Sequence, residues 1–162
     1  MINRISAYLN TAAGLFNLIS AGAVIAIMCI IVADVLFRMF NFSVPGAYDL
    51  VGLLGAVAIS FALAYTSIQK GHIAVDFLFL KLPEKAQYIL TAVNESVAAV
   101  FFAVIAWRTA LYAMEFRSGG EVSLTIQMPV YPFIAGISLS SALLALILAV
   151  NFIKTLRWLV KK

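Results

Sequence analysis

Several kinds of residue are scarce in this chain, and each scarcity removes a class of function. It has one cysteine, Cys29, so an intrachain disulfide and a CxxC metal site are both excluded. Cys29 lies within an apolar run and reads as a small hydrophobe. The only histidine is His72, too few for the multi-histidine ligation of a membrane cytochrome. Charged residues make up 11% of the 162 positions, and no GxxxxGK[ST] phosphate loop, HExxH pair or Ser-His-Asp arrangement is present. These absences argue against ATP hydrolysis, metal catalysis and acyl transfer. The net charge is +4, but no DNA- or RNA-binding motif accompanies the basic residues, so nucleic acid is not an expected partner. No cofactor is expected.

What the chain has in excess is apolar residues: 64% of positions are hydrophobic and the mean hydropathy is +1.06. A soluble domain of this size carries more charge. A spanning helix needs about 20 mostly apolar residues to cross about 30 Å of hydrocarbon. Four stretches meet that requirement, at residues 15–37, 47–68, 86–114 and 130–153. The expected fold is therefore an all-α integral membrane protein, a single domain of four transmembrane helices. A short interfacial segment lies between the second and third.

Proline and charge mark the ends. Pro45, Pro83 and Pro129 are placed near helix starts, where a missing N–H removes no intrahelical bond. Asp49 and Glu84 suit the positive end of the helix dipole in first turns. The first apolar run follows Arg4, but it is too long for a signal-peptide core and no small-x-small site follows, so it reads as a retained helix. Gly119–Gly120 reads as a turn.

Arg4, Lys70, Lys81, Lys85, Lys154, Arg157, Lys161 and Lys162 flank one side of the spans; Arg38 and Arg117 flank the other. Eight against two places both termini in the cytoplasm and the 40–46 and 117–128 loops outside.

Small residues recur every fourth position on the second span, at Gly52, Ala56, Ser60 and Ala64, and on the fourth at Ser141, Ala145 and Ala149. Such spacing lets helix backbones approach closely. Asp34 and Arg38 stand four apart and read as a local ion pair, with Arg38 reaching toward headgroups. The segment Gly71–Lys81, GHIAVDFLFLK, is too short to span; if helical, it sets His72 and Asp76 on one face. The pair either senses pH or docks a partner, or it simply faces water from an interfacial helix. Glu95 lies well inside the third run, where a carboxylate is costly. Pairing with another helix or with a partner chain comes first, surface placement second and proton transfer last. Arg108 is about 20 Å further along the same helix, too far to pair with it.

Three stretches resemble one family: ADVLFRMF at 33–40, VPGAYDLVGLLG at 44–55 and above all QKGHIAVDFLFLKLPEK at 69–85. The later GGEVSLTIQMPVYP at 119–132 is similar as well. Together they resemble the small, DctQ-type membrane subunit of TRAP (tripartite ATP-independent periplasmic) transporters. One departure is Asp49, where the family more often carries Glu, with the charge kept.

The resemblance implies residence in a bacterial inner membrane. It implies a large membrane subunit that holds the substrate and sodium sites, and a periplasmic binding protein that captures an organic acid such as a dicarboxylate or a sialic acid. The small subunit would brace the large one in the lipid and assist docking. By the same resemblance Arg38, Asp49, Gly71, His72 and Asp76 are fold or interface residues. The competing reading is a stand-alone homo-oligomeric transporter that uses Glu95.

Overall fold

The computed structural model describes residues 2–69 and 83–161. Gly71, His72 and Asp76, with the rest of the expected interfacial segment, lie outside the described residues. Four long helices account for most of the remainder: α1 Ile2–Arg38, α2 Ala47–Ile68, α3 Glu84–Gly119 and α4 Tyr131–Lys161. Each contains a stretch long and apolar enough to cross a membrane. The architecture is that of an all-α membrane protein.

α2 has the expected bounds. The other three helices run past the apolar stretches that announced them. α1 begins well before residue 15, α3 continues from 114 to Gly119, and α4 extends from 153 to Lys161. A helix leaving the hydrocarbon keeps its own backbone hydrogen bonds and needs no hydrophobic sequence to continue. It stops where the backbone is told to stop. Beyond α1, the chain turns away at Asn41, in the left-handed region (φ 61°). There the Asn41 N–H donates to the Arg38 carbonyl and the Phe42 N–H to that of Phe37, the paired bonds of a Schellman cap. α3 ends at Gly120 (φ 65°), whose N–H, like that of Glu121, donates to the Phe116 carbonyl. Thus Gly119 is the last helical residue and Gly120 is the turn. Pro45 and Pro129 each stand two residues before a helix start, as expected, with Pro129 bridged to Val122; Pro132 lies within the first turn of α4.

In space the helices do not follow chain order. α1 packs on α2 and α3 packs on α4, while α2 against α4 joins the two hairpins. The contact faces explain this order. Ala92, Ala106 and Ala113 of α3 are buried, and Ala99 falls in the same seven-residue rhythm beside the core. An alanine seam lets α3 approach α4 closely. On the other side of α4, Gly136 leaves room for the Phe61 ring of α2. That ring also stacks on Phe16 of α1, with centroids 4.6 Å apart. The tightest core joins Ala13, Ala64, Leu144, Ile147 and Leu148.

Serine hydroxyls set the heights of neighbouring helices. Ser138 donates to the Ala106 carbonyl of α3 (2.8 Å), Ser140 to the Ser60 carbonyl of α2, and Ser20 to the Ala58 carbonyl (2.7 Å). Only 11% to 28% of each helix's most apolar window is buried within the chain. Most of the apolar surface therefore faces lipid or another protein.

Candidate functional site

Polar contacts gather where α1 ends, α2 begins and the 120–130 loop crosses over. Asp34, nearly buried on the last turns of α1, uses both carboxylate oxygens. Oδ2 accepts from Nε of Arg38 at 2.8 Å and lies 2.7 Å from its second guanidinium nitrogen. Oδ1 accepts the Val44 N–H at 2.9 Å. The expected i, i+4 pair is present, with Arg38 largely exposed beyond it. The same carboxylate also clamps the 39–46 link to its own helix.

Asp49, in the first turn of α2, reaches a different segment. Its Oδ2 accepts the Thr125 N–H at 2.9 Å, tying the 120–130 loop to α2. That loop is internally braced: the Ser123 N–H donates to the Met128 carbonyl and the Gln127 N–H to that of Ser123. Gly46 caps α2 with φ 75°, and a Cβ added there would land on Ile126. Glycine is thus required twice over, by backbone conformation and by space. Arg117 stands over the Tyr131 ring, 6.0 Å from its centre, across the same loop.

Gly52 and Ala56 continue α2 from this platform. Gly52 is exposed, and a Cβ there would meet nothing within 4 Å. The small-residue row turns gradually inward: Ala56 and Ser60 are half-buried and Ala64 is fully buried. Its inner half is thus used by the chain's own packing, and its outer half is open. A shallow, mostly apolar depression beside it is lined by Tyr48, Asp49, Gly52, Leu53 and residues 122–124, Ser123 among them. This lining offers little to hold an organic anion.

At the opposite end, half-buried Glu95 of α3 accepts a hydrogen bond from the Thr155 hydroxyl of α4 at 2.9 Å. This joins the two helices of the second hairpin, far from the Asp34–Asp49 platform. Among the described residues no group of three or more His, Cys, Asp or Glu could hold a metal. The sequence reading missed the Val44 and Thr125 partners, the Gly46–Ile126 contact and the alanine seam of α3. Of these only the seven-residue alanine rhythm is visible in the sequence.

The fold and these contacts define a multi-pass helical membrane protein whose polar side chains, among the described residues, fasten helices and loops. A family model for the DctQ component of tripartite ATP-independent periplasmic transporters matches residues 27–157, most of the chain, which therefore belongs to that family as a TRAP small membrane subunit. No curated protein and no solved structure matches it. The family is a transporter component, one part of a tripartite system.

Proposed function

We propose that this subunit braces the large TRAP membrane subunit in the bacterial inner membrane, within a sodium-driven system that takes an organic acid from a periplasmic binding protein. The observation that carries this reading is the family match over 27–157. The open apolar helix faces and the fastened loop platform are what a scaffold requires. In this reading both termini are cytoplasmic, as the eight-to-two distribution of Lys and Arg favours. The Arg38–Asp49 platform then faces the periplasm, where it helps dock the binding protein. Gly52 and Ala56 belong to the face offered to the large subunit. Gly71, His72 and Asp76 serve assembly from the cytoplasmic side, and Glu95 serves helix pairing. The chain performs no catalysis of its own.

The test is co-purification of the tagged chain with the large subunit from native membranes, followed by reconstitution with the binding protein. Uptake is expected only with all three components and a sodium gradient. His72→Ala and Asp76→Ala should lower assembly or uptake without changing which acid is carried. Recovery of the chain alone as a defined oligomer, with ion flux lost in Glu95→Gln, would establish the stand-alone transporter instead.

A further inference from the structure

Arg108 is not used by any contact described above. Between Glu95 and Glu115 it is the only charged residue of α3. The serine bonds fix its depth. Ser138 meets Ala106 and Ser140 meets Ser60, so the level of Ala106 on α3 corresponds to about residue 58 of α2. Arg108, two residues nearer the loop end, is level with about Ala56. That is near the middle of the 22-residue α2, whose whole length is apolar enough to span.

Its direction is fixed as well. Ala106 is buried against α4, and two residues turn the helix by about 200°, so Arg108 faces away from the bundle. It is exposed, among exposed Val97, Val100, Val104, Trp107 and Leu111. Among the described residues no carboxylate lies within ion-pair distance of it. The main packing partner of α3 is α4 alone, on the opposite face.

An unpaired cation at mid-bilayer is costly, and such residues face a bundle interior, a water-filled cavity or a partner. Escape to headgroups is poor here. The loop end of the apolar stretch, at Glu115, is about 10 Å away by helix rise, and the Cα–Cβ bond leans the other way, toward the helix N-terminus. We propose that the α3 face centred on Arg108 is where a transmembrane helix of the large subunit docks, presenting an Asp or Glu to the guanidinium. The charge specifies the contact, and the apolar row from Val97 to Leu111 supplies packing on either side of it. This rests on the accessory-subunit reading above and adds the face and the chemistry of the contact.

The experiment is co-expression of the tagged chain with its large subunit, comparing wild type with Arg108→Leu, Arg108→Glu and Arg108→Lys. Loss of a desolvated charge partner should lower complex recovery roughly tenfold or more in the Leu and Glu variants, while Lys retains most of it. Replacing the matching large-subunit carboxylate with Arg should restore Arg108→Glu. The purified Arg108→Leu chain should melt no lower than wild type, which separates docking from folding. In a Cys29→Ser background, Val104→Cys should cross-link to a cysteine placed beside that carboxylate, and Leu146→Cys on α4 should not. Wild-type complex recovery by Arg108→Leu, or a Val104→Cys cross-link between two copies of this chain, would overturn the proposal. If the wild-type chain itself fails to bind the large subunit, it is the accessory-subunit reading that falls.

Discussion

The loop end and the shaft of the bundle are held by different means. At the loop end, loops are fastened to helices by carboxylates accepting backbone N–H groups: Asp34 with Val44, ten positions on, and Asp49 with Thr125, 76 positions away. In the shaft, helices meet through alanine, glycine and serine, and the polar ties are single hydroxyls donating to carbonyls. Loops have unpaired backbone groups that must be satisfied, and a charged acceptor does so strongly. Helix backbones in lipid are already satisfied, so the shaft gains mainly from close approach.

The difference can be broken most sharply at Gly46. Gly46→Val combines a disfavoured left-handed φ with a clash on Ile126, and should cost about 3 kcal/mol or more. A clear drop in melting temperature in nanodiscs checks this; an unchanged value would mean the α2 cap tolerates a side chain. Next, Asp49→Ala should free the 120–130 loop, making it several-fold more sensitive to limited proteolysis while leaving the helices' circular dichroism unchanged. Asp34→Asn should loosen the 39–46 link in the same way, more mildly, because an amide oxygen can still accept from Val44.

In the shaft the effects should be smaller. Ser140→Ala removes one interhelical hydroxyl and should cost about 0.6 kcal/mol, the ordinary size of such bonds in membranes. Smallest of all, Gly52→Leu should leave the melting temperature of the isolated chain unchanged, since nothing in the chain lies within 4 Å of an added Cβ. It should nevertheless lower recovery of the complex. A destabilised isolated chain would sink the idea that this part of α2 is reserved for a partner.

How much of this was legible in advance follows the same division. The spans were readable because lipid imposes length and apolarity, and Asp34–Arg38 because i, i+4 geometry is local. The start of α1 and the C-terminal ends of α3 and α4 were not, since outside the hydrocarbon nothing in hydropathy marks a helix. Asp49 was legible as a helix-start carboxylate, but its bond to Thr125 depends on how two hairpins meet, which no local pattern encodes. Glu95 stood out by its depth, while its donor Thr155 is an ordinary residue on another helix.

The two serines of α4 have a mechanical consequence. Ser138 and Ser140 engage different neighbours, α3 and α2, at nearly one depth. They act as a pin through three helices, holding their heights in common. In a thinner or thicker bilayer these bonds oppose the sliding of α2, α3 and α4 past one another. A shared tilt of these three helices is then favoured over relative sliding, and a partner gripping their flank is tilted with them.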